Sequence, residues 1–469
     1  MAAAFSSFVE LASLAILAYF LLINSFYILF SVLSVAELMR YRRLRLVQKT
    51  FEILPTKLVK PLSVIAPAFN EEKSIVQSVE NMLALDYPKY EVIVVNDGST
   101  DGTLRRLIER FGLRKSDVVF RRVLATRPVR GIYTSPDFPK LVVVDKENGK
   151  KSDALNAGLN LSRYPLFCAV DCDSVLDRDA LWKVVRPFLE EPGRTIAVGG
   201  IIRLSNGCVI ERGQVTKLKV PRRPLARLQV IEYLRAFLGG RVGLSRINSL
   251  LIISGAFGVF RKDLVMACGG YRRGTVGEDM DLVVRLRRYM HEQRRPFAIR
   301  FLPDPICWTE APETLGSLAR QRNRWYRGLI ETMASGKKLM FNARYGVTGL
   351  VAMPFYFIFE LAGPLIELIG YIFFAAAIAL RFVDYYYAAL FFALAVAIGS
   401  MISLGAIILE ELSPRRYPET PAVLTLLPYC FLENIIYRQF LSLVRIKAFF
   451  DYLKGSQEWG KMEKKGFSA

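Results

Sequence analysis

The sequence predicts an α/β body, a mostly parallel sheet flanked by helices, held between α-helical membrane segments. Two observations predict it. Charge is displaced to the middle of the chain: 64 Lys and Arg against 43 Asp and Glu give a formal +21 over 469 residues, and most of these charges lie between Arg40 and Arg344. The end blocks left behind are apolar, and they carry the hydrophobic fraction to 52% with a mean hydropathy of +0.26, above a typical soluble chain. Within the middle, short apolar runs end in polar or acidic turns and give way to helical stretches, the pattern of buried strands in a parallel sheet.

The first element, Leu11 to Val35, is about the length needed to cross a bilayer and is interrupted only by Asn24 and a few serines. Arg40, Arg42, Arg43 and Arg45 follow, then Lys49, Lys57 and Lys60, a cluster that the positive-inside rule puts on the cytoplasmic side together with the body behind it. No basic stretch precedes the run and no A-x-A-like site follows it, so residues 1–38 read as a permanent anchor rather than a cleaved leader.

Residues 39–345 form the body. Leu62 to Ala66 leads to Asn70-Glu71-Glu72, Val92 to Val95 leads to Asn96-Asp97-Gly98, Leu141 to Val144 leads to Asp145, and Leu166 to Val170 leads to Asp171-Cys172-Asp173. Ligands of such sheets collect beyond the carboxyl ends of the strands, the edge that carries these acids. Asp and Asn are also ordinary turn and cap residues, and for any single one the two readings weigh equally. Asp171 and Asp173 differ, because two carboxylates one residue apart at a strand end can reach a hard divalent cation that also bridges a diphosphate.

Further on, Ser254 to Gly258 is a small-residue turn that lets a ligand approach closely, and Gly277-Glu278-Asp279 opens a helix. Asp279 suits a general base, or an acidic helix start favoured by the macrodipole. In Gln321-Arg322-Asn323-Arg324-Trp325, Arg324 suits a phosphate fork and Trp325 a sugar ring; an interfacial helix uses the same residue types.

Residues 346–450 hold three apolar blocks, Val347 to Leu380, Tyr385 to Leu409 and Pro421 to Phe449, read as two or three spans before a basic tail at 451–469. The last block carries Glu433, Asn434, Arg438 and Gln439, an expensive set for a lipid-facing helix, so either it lies in the interface or the first block divides into an interfacial helix and a span. Glu360 and Glu367, seven residues apart, fall on one face of a helix. They form the wall of a polar path or a pair buried against other helices.

Composition also excludes. One histidine, His291, rules out a multi-histidine zinc site and would have to serve any Ser-His-Asp triad. The six cysteines form no CxxC pair, and Walker A and GxGxxG loops are missing. The basic stretch Lys217, Lys219, Arg222, Arg223 and Arg227 has no aromatic platform, so it is expected to face anionic lipid headgroups and not nucleic acid.

Taken in order, Asp97 in its turn, Asp171-x-Asp173, Gly277-Glu278-Asp279 and Gln321-x-x-Arg324-Trp325, flanked by membrane segments, the chain resembles the membrane-bound family-2 inverting glycosyltransferases, among them the cellulose, chitin, hyaluronan and poly-N-acetylglucosamine synthases. The resemblance covers about Pro61 to Trp325. It implies a GT-A-type nucleotide-sugar-binding domain, a UDP-sugar donor and an Mg²⁺ or Mn²⁺ ion. Residue by residue it implies that Asp97 contacts the uracil or ribose, that Lys151 and Asp171 bind the donor, and that Asp173 holds the metal. Asp279 is then the base that takes the acceptor proton. Arg324 belongs to the leaving diphosphate, and Gln321, Trp325 and Glu278 to the acceptor. One base with no second carboxylate nucleophile fits inversion of an α-linked donor to a β-linked product. Two positions depart from the family pattern: Asn96-Asp97 stands where two aspartates are usual, and the Lys150-Lys151 pair leaves the choice of lysine open.

The implied activity is transfer of a hexose or N-acetylhexosamine to a growing β-linked polysaccharide at the cytoplasmic face of a multi-pass cell-membrane protein, with export of the product. A single addition to a lipid acceptor is the alternative, and a catalytically silent membrane scaffold is a third reading. Membrane lipids are the expected surroundings, nucleic acid is not a partner, and the sequence indicates no particular protein partner.

Overall fold

The structure, a computed structural model, describes residues 2–48, 59–211, 214–380, 382, 385–413 and 423–455. Lys49 and Lys57 of the basic cluster, the side chain of Arg45 and tail residues 456–469 lie outside the described residues.

The strands, in chain order, are β1 (Leu62–Ala68), β2 (Tyr90–Asp97), β3 (Arg114–Ser116), β4 (Val129–Thr134), β5 (Leu141–Lys146), β6 (Leu166–Val170), β7 (Val175–Leu176), β8 (Thr195–Leu204), β9 (Val209–Glu211), β10 (Gln214–Lys217), β11 (Phe257–Arg261) and β12 (Ala298–Thr309). All but β9 and β10 join one sheet in the order β3-β4-β5-β2-β1-β6-β11-β8-β12-β7. The centre is parallel, as the apolar runs predict: β5, β2, β1 and β6 pair in that sense. The flanks mix directions, because β4 returns antiparallel on β5 and β11 antiparallel on β6. Strands β2, β5 and β6 are buried along their whole length, and their carboxyl ends deliver Asp97, Lys146 and Asp171 to one edge.

Helix α1 (Ala2–Gln48) leads into the body, whose helices are α2 (Ile75–Leu83), α3 (Thr103–Phe111), α4 (Lys150–Leu161), α5 (Ala180–Glu190), α6 (Pro224–Leu234), α7 (Val242–Arg246), α8 (Lys262–Ala267), α9 (Glu278–Glu292) and α10 (Leu315–Ser335). The membrane region adds α11 (Thr348–Leu361), α12 (Gly363–Ala379), α13 (Tyr385–Glu411), α14 (Leu427–Leu432) and α15 (Arg438–Leu453). Helix α4 lies close on the sheet because Gly158 faces Ile65, where a Cβ would come within 2.3 Å of the Ile65 side chain.

Among the described residues, α1 and α13 are long and apolar enough to cross a membrane, and α11 with α12, bent by 45°, makes a third if the pair is one span. The bend sits at Gly363-Pro364, where proline removes a helix hydrogen bond. Glu360 and Glu367 therefore do not share the face of one straight helix. Each is paired with neighbours instead. Glu360 accepts from the Tyr27 hydroxyl (3.1 Å) and lies 3.9 Å from Arg445. Glu367 accepts from Arg438 and from Ser442 (2.7 Å). The final block does not qualify as a span by the same test. Its α15 lies along α10, with Tyr437 and Leu441 against Leu318 and Ala448 against Tyr326 and Ile330, and Asn323 donates to Asp451 at 2.7 Å.

Three contacts fasten the sheet to the two candidate spans, α1 and α13. Arg203, at the end of β8, pairs with Glu410 in the last turn of α13, both almost fully buried. Ser413 donates to the Pro303 carbonyl (3.1 Å), and the Tyr41 hydroxyl of α1 donates to buried Asp304 on β12. Truncating one partner of a buried ion pair strands the other charge, at a cost of about 3–5 kcal/mol. Arg203→Met should accordingly lower the thermal unfolding midpoint in detergent, and adding Glu410→Leu should recover most of the loss.

Candidate active site

Asp97 ends β2 and turns inward. Its Oδ1 accepts from the Lys146 ammonium (2.6 Å) and the Gly149 N–H (3.0 Å), while its backbone carbonyl accepts from the Asn148 side chain (2.7 Å). Lys146, fully buried, also pairs with Asp153 at 2.7 Å. Burial pushes the Asp97 carboxyl above the usual carboxylate range, against the pull of Lys146. The turn beyond needs glycine: Gly98 has φ +68°, and a Cβ there would meet the Asn148 backbone at 2.7 Å. Asp145 accepts from Asn96 at 2.7 Å, so the Asn in place of a first aspartate serves as a strand-to-strand donor.

Asp153 extends the network. It accepts from the Arg127 N–H at 3.1 Å and lies 3.5 Å from Arg273. Thr126, Arg127, Asn148, Gly149, Lys150, Asp153 and Arg273 line a cleft of about 560 Å³ that opens beside Asp97, within the size range of ligand sites.

The second cluster centres on Lys151, in the first turn of α4. Its ammonium reaches Asp171 (2.6 Å), Glu278 (3.1 Å) and the Gly255 carbonyl (2.9 Å). Lys150 lines the cleft, so Lys151 is the lysine of the pair that meets the acids. Burial disfavours the Lys151 charge, but Asp171 and Glu278 more than offset it and raise the pKa. Asp171 is pushed up by burial, opposed by Lys151 and reinforced by Asp173. Asp279 is raised by burial and by Glu278, against Lys151 and Arg241. Gly255 stands between the parts: a Cβ on it would lie 3.3 Å from the Lys151 nitrogen and 3.5 Å from Asp279 Oδ2.

Helix α10 supplies the third group. Gln321 is buried and accepts from Arg322 (2.6 Å), which also donates to Glu232 of α6 (2.7 Å) and lies 4.1 Å from the Trp325 ring centre. Trp325 is 44% exposed, and Arg324 beside it is partly exposed. An aromatic row leads back to the acids: Trp325 to Tyr233 (6.5 Å), Tyr233 to Phe237 (5.4 Å), then the Arg241 guanidinium over Phe237 (4.2 Å). Arg241 donates to the Ile253 carbonyl at 2.6 Å, two residues before Gly255. Helices α10 and α9 also touch through backbone, since a Cβ on Gly277 would meet the Gly328 Cα at 2.7 Å. Glu331 of α10 accepts from Thr275 (2.6 Å) and the Val276 N–H (2.9 Å).

The structure thus brings Lys151, Asp171, Glu278 and Asp279 together, with Asp173 two residues from Asp171, and links Gln321 and Trp325 to them through α6 and Arg241. Asp97 stands apart with Lys146. Among the described residues no three His, Cys, Asp or Glu side chains converge as a metal cage. Asp171 and Asp173, one residue apart beyond β6, carry the oxygen donors that a hard cation takes, and Asp171 already meets the Lys151 ammonium. Sequence reasoning missed Lys146, Asp153, Arg241 and Glu331. Lys146 closes an apolar strand run, where a charge can be buried only with a partner, and that signal was available; the others are visible only in three dimensions. Lys146→Met strands two buried carboxylates and should cost about 3–5 kcal/mol, read as a lower unfolding midpoint, more than Lys150→Met at the cleft wall.

Comparison with known proteins bears on the family and the fold. The model of the family described as glycosyl transferase family 2 matches residues 63–122, and that of glycosyltransferase-like family 2 matches residues 118–328. The poly-beta-1,6-N-acetyl-D-glucosamine synthase of Staphylococcus aureus is 29% identical over 275 residues, 58% of this chain and 55% of the relative. That of Staphylococcus epidermidis is 27% identical, over 59% and 56%. The chain spans about half the length of the curated relatives it matches. Among solved structures, the mannosyltransferase PcManGT of Pyrobaculum calidifontis, in complex with GDP-mannose and Mn²⁺, shares the fold at a TM-score of 0.50 and 21% identity, over 89% of this chain and 99% of that one. With the two overlapping family matches laid over the strand-end acids and most of α10, residues 63–328 form a glycosyltransferase family 2 domain.

Proposed function

We propose that this enzyme transfers a hexose or N-acetylhexosamine from a nucleotide diphosphate sugar, UDP-linked on our reading, to a growing β-linked polysaccharide at the cytoplasmic face of the cell membrane. The observation that carries the reading is the Lys151 ammonium, which ties donor-side Asp171 to Glu278 and so to the start of α9, where Asp279 stands. The relationship to poly-N-acetylglucosamine synthases supports a polysaccharide product.

On this reading the cleft beside Asp97 takes the nucleoside, and Lys151 and Arg324 face the diphosphate. Asp173, with Asp171, would hold a Mg²⁺ or Mn²⁺ ion, which when bound neutralises charge on the leaving diphosphate. Trp325 stacks on the acceptor sugar, with Gln321 and Glu278 framing it. Asp279 takes the proton of the acceptor hydroxyl, and attack from the face opposite the diphosphate inverts the anomeric carbon. Orientation follows from the basic residues Arg40, Arg42 and Arg43 near the C-terminal end of α1.

One observation favours a second reading, single addition to a lipid acceptor. Glu360, Glu367, Glu410 and Glu433 of the membrane region all have hydrogen-bonding or ionic partners, Glu433 from Ser403 (2.7 Å) and Arg235 (2.9 Å). Carboxylates so engaged make poor lining for a polymer path.

Purified protein given UDP-sugars and, as a contrast, GDP-mannose with Mg²⁺ or Mn²⁺ should release nucleotide from a UDP donor and form a product ladder by mass spectrometry; one lipid-linked product supports the second reading. Chelation should abolish turnover and added metal restore it. Asp279→Asn should lower transfer by about 10²–10⁴-fold while nucleotide binding, measured by calorimetry, persists. The base works only when deprotonated, and burial with Glu278 raises its pKa. Transfer should therefore fall as pH drops through a value above the ordinary aspartate range of about 4, an acid limb that a kcat–pH profile reads directly.

A further inference from the structure

The segment between β8 and α6 is fastened to the membrane region at both ends. Before it, Arg203 is buried against Glu410 in the last turn of span α13. After it, the Arg227 guanidinium lies 5.5 Å from the ring centre of Tyr429 on α14, the helix that leads to the exposed apolar residues Phe431, Ile435 and Ile436. Val209, where the β9–β10 hairpin begins, is six residues from Arg203, so it stands within about 20 Å of that span's end. The hairpin is thus kept within that reach of the end of a candidate span.

Its charge is one-sided. From Ser205 to Arg223 the sequence has Arg212, Lys217, Lys219, Arg222 and Arg223 against one acid, Glu211. Lys217, Lys219, Arg222 and Arg223 are exposed, and of these only Arg223 is paired among the described residues, with Glu313 at 3.2 Å. Glu232, Asp279 and the other acids of the site are engaged elsewhere, and the catalytic reading makes no use of this hairpin.

We infer that the β9–β10 hairpin and the turn into α6 form a contact surface for anionic lipid headgroups. The charge is of the sign that a phosphatidylglycerol-like surface attracts, and two other cations tie the segment to the membrane region: Arg203 on Glu410 and Arg227, the member of the basic stretch that turns to Tyr429. The same segment is tied to the start of α10: Asn206 and Ala311 exchange hydrogen bonds at 2.7 and 3.1 Å, and Gln229 donates to the Pro312 carbonyl at 2.8 Å. Headgroup contact therefore bears on the helix that carries Gln321, Arg324 and Trp325.

Hydrogen exchange of the full chain in nanodiscs tests this without reference to activity. In phosphatidylcholine discs containing phosphatidylglycerol, peptides covering Val209 to Arg223 should exchange more slowly than in phosphatidylcholine alone. The protection should vanish at about 1 M salt, where the screening length is about 3 Å. It should also be absent in the variant Lys217→Gln, Lys219→Gln, Arg222→Gln, Arg223→Gln. Equal exchange of the wild-type chain in the two lipids overturns the inference, as does protection that follows added RNA in place of anionic lipid.

Discussion

Three acids cannot stand together at the edge of a sheet unless something holds their charge, and here that is one ammonium. Lys151 contacts Asp171, Glu278 and the Gly255 carbonyl at once, and each contact comes from a different part of the chain: a strand end, a helix start and a small-residue turn. Like charges brought this close repel and raise one another's pKa. The lysine sets a limit to that repulsion, and it does so from the first turn of α4, a helix kept tight on the sheet by Gly158. A second lysine, Lys146, does the same for Asp97 and Asp153 on the far side of β1. The site is thus two cations, Lys146 fully buried and Lys151 largely so, each with its own pair of acids, on strand ends that flank β1.

Much of this was legible in the sequence because it depends on local rules. Apolar runs closed by acids placed β1, β2, β5 and β6, and those strands pair in parallel as such runs require. Asp171, Glu278 and Asp279 do meet, and Lys151, read only through a resemblance, joins them. What the sequence withheld lies in contacts between distant segments. Nothing local says that Arg241 reaches Ile253, that Glu331 caps the loop before α9, or that Asp97 spends an oxygen on Lys146. The antiparallel flanks were equally hidden, since a short strand returning on β5 has no periodicity that gives its direction.

The membrane region went the other way, and the reason is proline. Glu360 and Glu367 share a face only if the helix between them is straight, and Gly363-Pro364 bends it by 45°. Each carboxylate then meets a partner that a helical wheel does not display, on α1 or α15. The doubtful last block resolves by the same logic of polar groups. Glu433, Arg438 and Asp451 find Ser403, Glu367 and Asn323, which gives α15 a place against α10 and the neighbouring helices.

The contact of Gly277 with Gly328 has a consequence for how such enzymes can be varied. Two backbones that touch leave no side chain between them to absorb a change of size or angle, so the turn before Asp279 and the helix bearing Trp325 keep a fixed relative geometry. An acceptor preference altered by exchanging α10 with that of a relative should carry over only when the segment from Gly274 to Asp279 is exchanged with it, because the two behave as one inherited part.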